Sequence, residues 1–174
     1  MKRVVAGLKW VREADGRPKG IPIGRPRGVK AFGVRYEKAV EAELPGWNRG
    51  HWFEFEDVNG HGWCQPDFVK IERDRVIVLE LKHTWTEDGQ VELNKLYLPV
   101  LRVLYNLPTF GIVVAKRLVP YMGQTIVTGD LDEAIRLAEG HGPVVWHCLG
   151  STIRASRGKR PAKSRLVDLA AFPY

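Results

Sequence analysis

Apolar and polar residues alternate along the chain in patterns that predict its elements one by one. Val76 to Leu81 is apolar at both alternating sets of positions until Glu80 interrupts it, the signature of a strand buried on both faces. His51 to Val58 sets Trp52, Glu54 and Glu56 against Phe53 and Phe55, a strand with one polar face. Asn59-Gly60 then marks a hairpin turn, and a second strand follows from Trp63 to Ile71 with Pro66 as an edge or bulge position. Helical spacing predicts a helix over Ala31 to Leu44, with Phe32, Tyr36, Ala39, Val40 and Leu44 as its buried stripe and Pro45-Gly46 as its stop. Leu93, Leu96, Tyr97, Val100, Leu101, Leu104 and Tyr105 give a second amphipathic helix that Pro99 should kink or split. Strands are expected at Thr109 to Ala115 and Pro143 to Leu149, a helix capped by Asp130 runs to Glu139, and a short strand lies within Met1 to Arg12. The result is an α/β protein in three parts: a strand and Gly/Pro-rich arm over 1–30, a folded body over 31–150 and a tail over 151–174.

Composition narrows the class. A hydrophobic content of 44% and an aromatic content of 10% belong to a globular chain, and 174 residues suffice for one core. The net charge of +7 favours a polyanionic partner, the more so because basic residues gather at the two ends. Arg25, Arg27 and Lys30 in the arm, and Arg157, Lys159 and Arg160 in the tail, are candidate phosphate contacts. Gly16 to Gly20 and Gly24 to Gly28 faintly resemble the Gly-Arg-Pro core of AT-hook peptides, with a solvated linker as the equal alternative. Two cysteines make no disulfide framework, the start carries no secretory signal, and no apolar run nears the roughly 20 residues that span a bilayer. A cytoplasmic protein with no membrane association is expected.

The chemistry concentrates at Gln65 to Lys82. Side chains alternate along a strand, so Glu80 and Lys82 project to one side while Leu79 and Leu81 project to the other. A turn near Glu72 to Arg75 would fold Asp67 back beside Glu80, making an oxygen-rich cluster suited to Mg²⁺ or Mn²⁺. Pro66-Asp67 followed by Glu80-Leu81-Lys82 resembles the signature of the PD-(D/E)XK nuclease superfamily, over roughly Ala31 to Ala115. That resemblance implies a restriction-endonuclease-like core, a central mixed sheet flanked by helices in the order αβββαβ. It also implies that Asp67, Glu80 and the Leu81 carbonyl hold the metal, with an acidic residue of the first helix, Glu37 or else Glu41, in support. Lys82 would orient or deprotonate the attacking water, and Gln90, with Lys95 in reserve, would meet the nucleic-acid backbone. The implied activity is metal-dependent hydrolysis of DNA phosphodiesters to a 5′-phosphate and a 3′-hydroxyl. With little chain left for a sequence-reading domain, a structure-selective or non-specific endonuclease is expected, and a Holliday-junction preference would call for a homodimer.

Three other readings stand beside this one. Glu80, Lys82 and Asp67 form a structural ion cluster in one, and in another the fold binds nucleic acid without cutting it. A zinc module of His61, Cys64, His147 and Cys148 is the third, although adjacent His147 and Cys148 cannot easily face one ion from a strand. His83 is either a phosphate contact or a hydrogen-bonded structural histidine.

Overall fold

The computed structural model describes residues 3–21, 29–140 and 142–150. The candidate phosphate contacts Arg25, Arg27, Arg157, Lys159 and Arg160 lie outside them, as does the side chain of Lys30. In chain order the elements are β1 (Trp10–Glu13), α1 (Val29–Glu41), β2 (Asn48–Arg49), β3 (Phe53–Asp57), β4 (Gly60–Cys64), β5 (Phe68–Ile71) and β6 (Val76–Thr84). There follow α2 (Glu87–Glu92), a π-helical turn (Leu93–Tyr97), α3 (Leu98–Tyr105), β7 (Thr109–Arg117), β8 (Ile126–Thr128), α4 (Leu131–Gly140) and β9 (Val144–His147).

The architecture is mixed α/β. A six-stranded mixed sheet has the order β2-β5-β6-β7-β9-β8, antiparallel from β2 to β6 and parallel from β6 onward. The continuous apolar run of β6 places that strand inside the sheet, where Val76 to Leu79 are completely buried. Each such side chain contributes about 1.5–3 kcal/mol through the water it no longer contacts. Ile77, Leu79 and Leu81 face α1 and α4, through Tyr36, Val40, Leu44 and Ala134. Val76 and Val78 face the other way, onto Leu93, Tyr97, Val100 and Leu101 of the α2–α3 helical run.

The first of the three expected strands, and the front half of the second, do not join this sheet. β3 and β4 pair with β1 in a separate three-stranded antiparallel sheet, whose inner residues Phe53, Phe55 and Cys64 pack into the core on the α3 side. The strand expected from Trp63 to Ile71 is accordingly two strands. The chain leaves the small sheet after Cys64, passes Gln65-Pro66-Asp67, and enters the large sheet at Phe68. The expected N-terminal strand begins only at Trp10, and the two-residue β2 and the short β8 were not foreseen.

Two helices differ from their periodicity. Phe32 stands 56% exposed in α1 instead of joining its buried stripe, and Ala39 is only half-buried. Pro99 falls in the first turn of α3, and the expected split takes the form of the π-helical turn just before it. The run accommodates it one turn earlier, where the Leu98 N–H donates to the Leu93 carbonyl, five residues back. Proline has no N–H for the Lys95 carbonyl four residues before it, and that carbonyl instead accepts the Val5 N–H at 2.9 Å. The proline thus frees the acceptor that ties the N-terminal segment to the helix.

Candidate active site

The hairpin of β5 and β6 closes where expected, with the Glu72 N–H on the Arg75 carbonyl at 2.9 Å. Its register pairs Phe68 with Leu79, so Asp67 follows opposite Glu80. Extending the same ladder by one more hydrogen-bonded pair would set Pro66 against Leu81. Proline cannot donate there, and the Leu81 N–H turns to the Asp67 carboxylate at 2.6 Å. A strand residue's N–H and C=O point the same way, so the Leu81 carbonyl also opens towards Asp67, and Pro66 brings no amide to meet it. The sequence Pro-Asp thereby removes a ladder donor and supplies a carboxylate at one point.

Glu80 is 5% exposed, and its Oε1 accepts from Lys82 Nζ at 2.5 Å while its Oε2, also buried, has no hydrogen-bond partner. The Lys82 ammonium bridges to Glu92 of α2 at 2.7 Å. Close approach of α2 makes this bridge possible, and Gly89 permits the approach. A Cβ there would lie 3.1 Å from Val113 and 3.4 Å from Lys82 Cε.

The electrostatics follow from burial. Asp67 is raised from 3.8 to about 6, chiefly by loss of solvent, with the Leu81 amide opposing and Glu37 adding to the rise. Glu80 is pushed well above its usual range by burial and then by Asp67, and Lys82 offsets only part of this. Burial alone would lower Lys82, but Glu80 and then Glu92 more than reverse that and hold the ammonium charged. The Tyr97 hydroxyl, buried on the π-helical turn, is raised by burial and by the charges of Glu80, Glu92 and Asp67. The site is therefore two strand carboxylates with an excess of negative charge, one ammonium and one phenol.

Asp67, Glu80, Leu81 and Lys82 are brought together, and the remaining candidates stand apart from them. Glu37 belongs to α1 on the opposite face of the sheet from Glu80 and binds Arg49 at 3.1 Å. Its neighbour Glu41 binds the same arginine at 2.6 Å. Glu37 reaches the site only through its field on Asp67. Gln90 donates to the Val144 carbonyl at 3.4 Å and is turned to the neighbouring strand, and Lys95 is exposed on the π-helical turn. The zinc set is dispersed: His61 binds Glu54 on the small sheet, Cys64 is buried and raised to about 12 by loss of solvent, and His147 meets the Lys116 carbonyl. Among the described residues, no three His, Cys, Asp or Glu side chains form a ready-made metal cluster. Reading the sequence missed Glu92 and Tyr97. Lys82 offered the one available signal, since a half-buried ammonium beside a core strand calls for a second carboxylate.

A cavity of about 140 Å³ lies elsewhere, between the two sheets, lined by Glu13, His51, Phe53, Val69 and Tyr105. Among the described residues no helix is long and apolar enough to cross a membrane. No family model matches the chain, and neither a curated protein nor a solved structure does so.

Proposed function

We propose that the protein is a divalent-metal-dependent nuclease that hydrolyses DNA phosphodiester bonds. The observation that carries this reading is the buried, unpartnered Glu80 Oε2 beside the raised carboxyl of Asp67. Two desolvated carboxylates side by side need positive charge that Lys82 only partly supplies. Asp67, Glu80 and the Leu81 carbonyl are all oxygen donors and would hold Mg²⁺ or Mn²⁺, hard cations that keep several waters as further ligands. When bound, such an ion neutralises phosphate charge and makes a water more acidic.

The chain's own residues then divide the work. Asp67 is kept at the edge of β5 by the Leu81 amide, and its backbone carbonyl accepts the Gly50 N–H at 3.0 Å. Lys82, kept charged by two carboxylates, stabilises negative charge gathering on the phosphate and orients the attacking water, but it is not the base. Glu92 positions Lys82. Glu37 tunes Asp67 from across the sheet, and the net charge of +7 favours a polyanionic substrate.

The succession of elements supports the same family resemblance in a form the sequence did not suggest. Taken in order, α1, β2, β5, β6, the α2–α3 run and β7 form an αβββαβ series in the large sheet, with the β3–β4 hairpin as an insertion. In this reading the two-residue β2 takes the place expected for the strand at His51 to Val58.

The test is cleavage of labelled single-stranded, duplex and four-way-junction DNA with Mg²⁺, Mn²⁺ or EDTA, using Asp67→Asn and Lys82→Ala controls. Cutting that needs metal and is lost in both variants supports the assignment, and a junction preference adds a homodimer to it. Metal-independent tight binding without cutting replaces it with a binding module on this fold. Neither binding nor cutting reduces the cluster to a structural ion network.

A further inference from the structure

β6 presents two kinds of side chain at one end. Glu80 and Lys82 leave it on the α2 side, and the alternation sends His83 to the α1 side. The His83 ring meets Tyr36 edge-on, with centroids 6.1 Å apart and an angle of 88°, and lies 6.3 Å from the ring of Phe32. Phe32 is 56% exposed in the first half of α1, and the Arg35 guanidinium stands 5.7 Å from its centroid. Neighbouring β7 runs parallel to β6 and pairs Lys82 with Ala115 and Thr84 with Arg117, so Lys116 leaves its strand beside His83 and on the same face. An exposed aromatic ring is thus bordered by a second aromatic and the Arg35 guanidinium, with Lys116 beside that second aromatic, at the strand ends that also carry the carboxylates.

A large apolar ring left open to water gains by being covered, and cations around it select an anionic cover. A ring that presents a π-face within reach of several cations suits a nucleotide, whose base stacks while its phosphates are neutralised. A closed duplex keeps its bases in the stack and cannot offer one. We infer that Phe32, flanked by His83 and Arg35, is a stacking platform for an unpaired base, with Arg35 and Lys116 holding the adjoining phosphates. On the nuclease reading, this makes single-stranded or locally unpaired nucleic acid the preferred substrate class. The platform lies across the sheet from the carboxylates, so it grips the strand beside the reacting phosphodiester without taking part in the reaction.

Binding of a fluorescent oligonucleotide that cannot pair with itself, as DNA and as RNA, is measured by anisotropy in EDTA beside a blunt hairpin duplex. Base–aromatic stacking is worth about 1–3 kcal/mol per base, so Phe32→Ala and Phe32→Leu should weaken single-strand binding roughly 5- to 150-fold. Both should leave the salt slope and the duplex affinity near wild type, and Phe32→Trp should restore binding. Arg35→Ala and Lys116→Ala should each flatten the salt slope by about one phosphate's worth. Which sugar binds more tightly separates DNA from RNA as the source of the base. Single-strand affinity unchanged in both Phe32→Ala and Phe32→Leu overturns the platform, as does an equal loss on duplex and single strand. Because the assay contains no metal, failure of cleavage leaves the platform standing, and normal cleavage with unchanged Phe32-variant binding removes the platform alone.

Discussion

Asp57 and Glu80 are both buried carboxylates, one on each sheet, and their surroundings treat them in opposite ways. Asp57 receives Arg3 Nη2 at 2.5 Å, the Asn59 amide at 2.8 Å and the Ala6 amide at 3.4 Å, so both of its oxygens are met. Burial pushes it up, yet the Arg3 hydrogen bond and the two amides together hold it below its usual range. Room for this is made in the sequence itself. Gly62 sits where a Cβ would lie 2.5 Å from Arg3 Nη1, and the guanidinium crosses it to lie 4.8 Å from the Phe55 centroid. Glu80 has one partner, an orphaned oxygen and a carboxylate neighbour. The Asp57 carboxylate is thus satisfied from within the chain, whereas the unmet oxygen of Glu80 is an acceptor left for something from outside.

The comparison breaks most visibly at Arg3. Arg3→Met keeps much of the side chain's bulk but leaves Asp57 buried without its cation, and it should lower Tm by several degrees, the largest loss expected here. Since the Asp57 carboxyl is depressed in the folded protein, the stability it contributes is present above its unfolded value of 3.8 and fades as the pH falls through the folded value. Thermal scans of both proteins should therefore converge in acid. A constant gap down to the lowest pH would mean that Arg3 acts through packing rather than charge.

Asp67 should respond with the opposite sign. Its folded carboxyl is raised from 3.8 to about 6, so the native state binds the extra proton between those values and stability falls as pH rises through that window. At pH 7 in EDTA, Asp67→Asn should stabilise the protein by something on the order of 2 kcal/mol, and below about pH 4 the gain should vanish. Mg²⁺ should then invert the ranking. At a hundredfold excess over its dissociation constant the ion adds about 2.7 kcal/mol to the wild type and nothing to the variant. Differential scanning fluorimetry across pH, with and without the ion, reads all of this. Destabilisation by Asp67→Asn at pH 7 without metal would place Asp67 with Asp57 as a structural carboxylate.

Local rules made much of the site legible. Strand alternation aligns Glu80 with Lys82, a short turn returns Asp67, and proline's missing donor leaves the Leu81 carbonyl without an amide partner beside Asp67. What escaped depended on contacts distant in sequence. Nothing local to His51–Val58 shows that β3 will pair with Trp10–Glu13, a strand whose nearest register pair, Glu13 with Phe53, spans 40 positions, so the small sheet merges with the large one when only local pattern is read. Glu37 fell on the right margin of α1, but its partner Arg49 arrives from β2, an element too short to carry a pattern. Phe32 matched the helical period and still faces solvent, because period fixes a stripe and not how far the sheet beneath it extends. Glu92 was hidden for a related reason: only the approach of α2 at Gly89 brings it to Lys82.

That last contact gives the smallest effect on stability and the finest test of the division of labour. Lys82 and Glu92 are both partly exposed, with side-chain exposures of 21% and 18%, so removing their pairing by Glu92→Gln should shift stability by no more than about 1 kcal/mol. Catalysis should register what stability does not. Glu80 and then Glu92 hold the Lys82 pKa up, so loss of the second carboxylate should bring the ammonium's deprotonation to lower pH. If Lys82 works as a charge, the alkaline limb of the cleavage rate moves down with it, and the rate near neutrality changes only a few-fold. If Lys82 instead acted as the base, the same substitution would supply more of the neutral amine and speed cleavage near neutrality. A pH–rate profile of Glu92→Gln beside the wild type separates the two, because a merely structural Glu92 would leave the position of the limb where it was.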